Sequence, residues 1–142
     1  MKPNDSIAIQ ELFNTISSKY DILNDIFSFG LHRIWKRKLL SFLNPIFGEK
    51  WIDLCCGTGD MSMILSDYMK SSINITALDC SYQSLLIAKE RSKIKYSSIE
   101  WVKGDALETN FPSDQFDGLL MAYGLRNLSS YSLGFKEAHR IL

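Results

Sequence analysis

The chain lacks any run of about 20 apolar residues, and its N-terminus lacks the basic, apolar and small-residue succession of a secretion signal. Neither a membrane span nor export is expected. Charge of one sign is missing too, since 16 Lys and Arg offset 16 Asp and Glu. Nucleic acid is held largely through basic contacts to phosphate, so this balance gives no general attraction to it, and no nucleic-acid partner is expected. The three cysteines, Cys55, Cys56 and Cys80, are odd in number and have no C-x-x-C spacing. They read as reduced thiols of a cytoplasmic protein, which argues against a disulfide framework or a structural metal. Internal repeats and low-complexity linkers are also absent. What remains, 142 residues that are 46% hydrophobic and 23% charged, suits a globular chain with its own core.

Asn44, Pro45 and Gly48 supply turn residues at an internal boundary, which divides a helical cap over residues 1–48 from an alternating pattern over 49–142. In the cap, Ile9, Leu12, Phe13, Ile16 and Tyr20 recur every three to four residues and predict a helix from about Ser6 to Tyr20. Asp21 to Gly30 reads as a loop with several large apolar side chains. Leu31, Ile34, Trp35, Leu39 and Phe42 predict a second amphipathic helix, along which Arg33, Lys36, Arg37 and Lys38 cluster. That cluster reads as a solvated face, or as an attraction to an anionic membrane surface or acidic substrate tail.

The richest stretch is Trp51 to Asp60, where an apolar run stops in two glycines around Thr58 and a helical pattern follows through Met61, Ile64, Leu65 and Tyr68. Strand, tight turn and helix are the reading. Glycine here lets a ligand lie against bare backbone, and the next helix offers unpaired N–H groups, so a nucleotide-like cofactor is expected. A dinucleotide fingerprint would need a third glycine where Asp60 stands, and a carboxylate there repels pyrophosphate.

Ile73 to Asp79 alternates as a second strand, and Asp79 lies twenty residues after Gly59, the offset at which an acid accepts bonds from ribose hydroxyls. Its other reading is a helix N-cap, for which Ser81 is the better candidate. Leu85, Leu86, Ala88 and Lys89 continue a helix to about Ser92. Ile99, Trp101 and Val102 form a third strand. Asp105 in the following turn is placed to accept from an adenine amino group, or is an ordinary turn residue. Phe111 to Asp117 lead into a fourth buried strand, Gly118 to Ala122, and Leu133, Phe135, Ala138 and Ile141 predict a final helix. Helices alternating with strands predict an α/β fold, a parallel sheet covered on both faces. Its ligands would sit beyond the C-terminal strand ends, where Asp53 to Gly59, Asp79, Asp105 and Tyr123 fall. Arg126 and Asn127 would stand at the mouth, suited to hold an oxyanion or, alternatively, to form a surface ion pair.

Asp53, Gly57 and Gly59 resemble motif I, D/E-x-G-x-G-x-G, of methyltransferases that use S-adenosylmethionine (SAM), with Cys55 in place of the first glycine. The N-P-P-Y or D-P-P-Y motif of amino-methyltransferases acting on nucleic acid is absent. Leu12 to Asp25, Ser28 to Lys36, Asp53 to Asp60, Gly104 to Pro112 and Tyr123 to Asn127 together closely resemble the quinone-biosynthesis C-methyltransferases acting on demethylmenaquinone, demethylphylloquinone and ubiquinone precursors. The resemblance implies a Rossmann-like fold with an N-terminal helical cap. It implies further strands beyond Leu142, which are missing here. It also implies SAM as cofactor, contacted by Asp53, Gly57, Thr58, Gly59, Asp79, Asp105 and Ala106, and a prenylated or phytylated lipophilic quinol as methyl acceptor. Arg126 with Asn127 would stabilise the phenolate, and Tyr20 would hydrogen-bond the ring oxygen. His32 would be a proton acceptor or a structural imidazole. Peripheral membrane contact through Phe27, Phe29 and Trp35, and a homodimer, are compatible with it. An inactive remnant with at most weak SAM binding and an NAD-linked oxidoreductase stand as the alternatives.

Overall fold

Lys50, Trp51, Ile52, Asp53 and Leu54 form strand β1 (Lys50–Leu54), in which every position after Lys50 is buried. It is central to a four-stranded sheet with β2 (Asn74–Asp79), β3 (Ile99–Lys103) and β4 (Gly118–Leu120), in the order β3-β2-β1-β4. All three pairings are parallel. The computed structural model describes residues 38–43, 45–70, 72–122 and 124–142. The predicted helix from Ser6 to Tyr20, the loop Asp21 to Gly30 and most of the second helix lie outside these residues. So do Tyr20, Phe27, Phe29, His32, Trp35, Asn44 and Tyr123; residues 38–43, which are described, are helical.

Helices α1 (Asp60–Tyr68) and α2 (Tyr82–Ser92) connect β1 to β2 and β2 to β3, while α3 (Tyr131–Ile141) follows β4. Because side chains alternate along each strand, the sheet buries two separate apolar layers. Trp51, Ile75, Ala77, Ile99 and Leu120 pack with Met61 and Leu65 of α1 and Leu85 of α2. On the opposite face Ile52, Leu54 and Leu78 pack with Ala106, Phe116 and Ile141 of α3. From β1 the chain steps outward to β2 and β3, then returns to lay β4 on the other side of β1. This reversal opens a crevice at the C-terminal strand ends between β1 and β4, the place where open parallel sheets take their ligands. Among the described residues, no helix is long and apolar enough to cross a membrane.

The α/β reading with helices on both faces is borne out, and three details differ. The stretch expected to alternate, Ile73 to Asp79, is buried at every position after Asn74 in β2, because layers cover both faces. The fourth strand ends at Leu120 rather than Ala122, where its pairing with β1 stops at Asp53. Helix α3 does not bury Leu133 and Phe135, which are 53% and 60% exposed. It faces the core through Gly134 and Ile141 instead, a glycine that lets Leu128 pack against the helix backbone.

Candidate functional site

The turn after β1 is built from backbone that side chains disfavour. Cys55, Gly57 and Gly59 all have positive φ, at 58°, 56° and 86°. Cys55, standing at the position of the motif's first glycine, carries the left-handed conformation at a cost of about 1–2 kcal/mol. The two glycines serve different ends. A Cβ on Gly59 would run into the Trp101 ring and approach Ala88, so Gly59 lets the turn close against β3 and α2. A Cβ on Gly57 would meet nothing within 4 Å. Its bare backbone borders open space at the end of the sheet, the kind of cradle in which a ligand can lie against main chain. Helix α1 then starts at Asp60, with Gly59 as an N-cap that supplies no side-chain acceptor.

Asp79, at the tip of β2, holds this turn from the neighbouring strand. Its Oδ2 accepts from Gly57 N and its Oδ1 from Ser81 N, each at 2.8 Å. Burial pushes the carboxyl above its ordinary value, while the Ser81 and Gly57 N–H groups pull it back down. A carboxylate has roughly four acceptor positions, so a pair of vicinal hydroxyls could still be received here. Ser81 is the N-cap of α2, its Oγ accepting from Ser84 N at 3.2 Å. That assigns the cap to Ser81 and leaves Asp79 at the strand tip.

The remaining expected residues are distributed around this centre. Asp53 is 1% exposed, and its Oδ2 accepts from Ser62 Oγ of α1 at 2.6 Å. Thr58 is buried, its hydroxyl and carbonyl turned to the guanidinium of Arg91. Gly104 N donates to Asp79 O at 3.1 Å, which brings the turn after β3 against the tip of β2. Asp105 in that turn is exposed, with Oδ1 accepting from Leu107 N at 2.9 Å. Ala106 is buried in the α3-side layer. Across the crevice, Arg126 and Asn127 lie in a single 3-10 turn (Leu125–Asn127), both exposed. That turn follows Gly124, whose ideal Cβ would stand 2.5 Å from the Cys55 Cβ and 3.1 Å from its Sγ. Cys55 is thus the contact between the two lips.

The thiols at the site are kept neutral. Burial first, then the charge of Asp79, pushes Cys55 up to about 12, and Cys56 is raised well above 9 by burial and Asp53. Burial raises Cys80 as well. Near neutral pH none is a thiolate nucleophile. The arrangement suits a nucleoside with hydroxyls for Asp79 and bare backbone at Gly57 to lie on. It suits a pyrophosphate poorly, because Asp53, Asp60, Asp79 and Asp105 ring the turn with carboxylates. Arg91 and Ser62 were not singled out in the sequence. Arg91 had no local signal beyond a basic residue in a last helical turn, since its partners are more than thirty positions away.

Solved structures support the fold. A SAM-dependent methyltransferase from Aquifex aeolicus superposes with a TM-score of 0.68 at 21% identity, covering 75% of this chain and 57% of that one. The chain is 41% identical over 135 residues to the chloroplastic 2-phytyl-1,4-beta-naphthoquinone methyltransferase of Arabidopsis thaliana. It is 37% identical over 134 residues to the demethylmenaquinone methyltransferase of Staphylococcus epidermidis. Those alignments take in 92% and 94% of this chain but only 52% and 55% of the relatives' length. All of residues 1–142 match one family model, and the chain belongs to the ubiE/COQ5 methyltransferase family.

Proposed function

We propose that the protein takes part in SAM-dependent C-methylation of a prenylated or phytylated quinol ring, as in menaquinone, phylloquinone or ubiquinone formation. The observation that carries the cofactor reading is the bare, outward-facing backbone of Gly57, fixed at 2.8 Å to the carboxylate of Asp79. When bound, SAM supplies a methyl group on a positively charged sulfur, ready for a nucleophilic carbon. Asp79 offers its free acceptor positions to the ribose hydroxyls, and Asp105 offers a carboxylate to the adenine amino group. Gly57 leaves room beside the chain, Gly59 lets the turn close against β3 and α2, and the buried Asp53 keeps the potential negative where a cationic ligand enters. Arg126 and Asn127 donate to the acceptor's phenolate oxygen and so favour loss of the hydroxyl proton; that loss puts electron density on the neighbouring ring carbon, which takes the methyl group and then gives up its own proton. Tyr20 is assigned a hydrogen bond to the same ring oxygen. Cys55, protonated at neutral pH, does not compete with that carbon for the methyl group.

The rival NAD-linked reading fails at the helix start, where Asp60 stands in the first turn of α1 and a pyrophosphate would have to sit. Calorimetric titration of the chain with S-adenosylhomocysteine tests the proposal, beside Asp79→Ala and Arg126→Ala. Losing a charged acceptor in Asp79→Ala should weaken binding at least about tenfold. Arg126→Ala should leave binding nearly intact and depress methylation of a quinol acceptor. Binding that ignores Asp79→Ala refutes the assigned cradle. A folded wild-type chain that binds nothing indicates the inactive-remnant alternative.

A further inference from the structure

Helix α2 touches the cofactor turn from outside the motif. Arg91, in the last turn of α2, donates from Nη1 to Thr58 O at 3.0 Å and to Thr58 Oγ1 at 2.9 Å. Its Nη2 donates to Asp60 Oδ1 at 2.6 Å. Thr58 lies between Gly57 and Gly59, both at positive φ, so its two neighbours are the residues with most conformational freedom to lose. Asp79, at the tip of β2, holds the same turn by a second route, its carboxylate accepting from Gly57 N and from Ser81 N at the start of α2. The turn is therefore held at two points, by Asp79 from β2 and by Arg91 from α2.

We propose that Arg91 is a positioning residue of the cofactor site, its guanidinium fixing Thr58 and drawing Asp60 aside so that the Gly57 backbone is preformed for its ligand. The role rests on the cofactor reading given above. Geometry favours arginine over lysine, because only a planar fork reaches a carbonyl, a hydroxyl and a carboxylate together. The Arg91 and Asp60 side chains are 39% and 25% exposed, so the ion pair itself adds little to global stability. Its effect is on local order. Without Arg91 the turn must be ordered by the incoming ligand, and the ordering entropy is taken from the affinity.

Two measurements on wild type, Arg91→Ala and Arg91→Lys test this: amide hydrogen exchange of the ligand-free proteins, and titration with S-adenosylhomocysteine. Arg91→Ala should exchange faster at Gly57 and Gly59 while the β1 and β2 amides stay protected, and should bind about tenfold more weakly. Arg91→Lys, with one ammonium for three acceptors, should recover part of both. Unchanged exchange and affinity in Arg91→Ala overturn the positioning role alone. Uniformly faster exchange over the whole sheet, with affinity restored on cooling, reduces Arg91 to a structural residue and also overturns it. A wild type that is folded but binds nothing overturns the cofactor reading and this role with it. Should Arg91→Ala fail to fold, Arg91→Gln takes its place under the same criteria.

Discussion

Two glycines only two positions apart make opposite demands, and substitution separates them. At Gly59 an added methyl meets the Trp101 ring, which is pinned because its Nε1 donates to Ser92 Oγ at 3.1 Å. Gly59→Ala should therefore cost about 2–4 kcal/mol, overpacking added to left-handed strain. At Gly57 nothing obstructs the methyl, so Gly57→Ala should cost only the backbone term of about 1–2 kcal/mol. Yet Gly57→Ala should lose most of its S-adenosylhomocysteine affinity, because the methyl fills the space the ligand needs. Denaturant unfolding and titration of both variants decide this; full affinity in Gly57→Ala would show that no ligand lies against that backbone. At this scale the sequence showed which residue types gather at the crevice, but not their orientation. Asp79 and Ser81 could be assigned because strand tip and helix cap are local properties. Thr58 turns to Arg91 of α2, thirty-three positions away, and Asp53 accepts from Ser62 Oγ in the helix that follows the turn.

Among the elements, strands were more legible than the last helix. β1, β2 and β3 announce themselves by apolar runs between turn residues, whereas α3 carries apolar residues that it does not bury. Besides the buried Ile141, polar bonds hold α3. Glu137 Oε1 accepts from Thr109 N at 2.8 Å, Thr109 Oγ1 at 2.6 Å and Arg140 Nη2 at 2.7 Å, and Oε2 accepts from Arg140 Nε at 2.8 Å. The two from Thr109 tie α3 to the segment between β3 and β4, the two from Arg140 lie within the helix, and no hydrophobic period could reveal any of them. The Arg140 guanidinium, then the Thr109 hydroxyl and amide, draw the Glu137 carboxyl from 4.5 down to about 2 against the opposing effect of burial. A carboxyl lowered in the folded state binds fewer protons folded than unfolded, so its contribution is complete above about 4.5 and disappears as pH falls through about 2. Acid titration of stability should accordingly slope downward across that window, and Glu137→Gln should flatten the slope. A wild-type curve that is level between those values, or a Glu137→Gln curve that keeps the slope, would refute the assignment.

At the scale of the whole molecule, Cys55 joins the two lips of the crevice above the pairing of β1 with β4. Everything assigned to the cofactor comes from β1, β2, β3 and their following turns, and the described residues assigned to the acceptor come from the turn after β4. The reversal of strand order between β1 and β4, which run parallel, brings these groups together, and there Cys55 meets Gly124. The sequence offered part of this, a cysteine where the motif has its first glycine, but nothing indicated that its side chain would lean on the opposite lip. Gly124→Ala places a methyl 2.5 Å from the Cys55 Cβ and 3.2 Å from Met121 Cγ, and should cost about 1–3 kcal/mol. Cys55→Gly removes the obstructing Cβ and about 1–2 kcal/mol of left-handed strain, against roughly 0.5–1 kcal/mol of added chain entropy and the lost contact of the side chain. The single Cys55→Gly should then be near neutral. The double variant should be more stable than the sum of the singles by about 1 kcal/mol or more, since the clash requires both side chains. Denaturant midpoints of the four proteins give the coupling directly. Strict additivity would mean that the lips relax independently, and that the turn bearing Arg126 and Asn127 is not held in place by the cofactor turn.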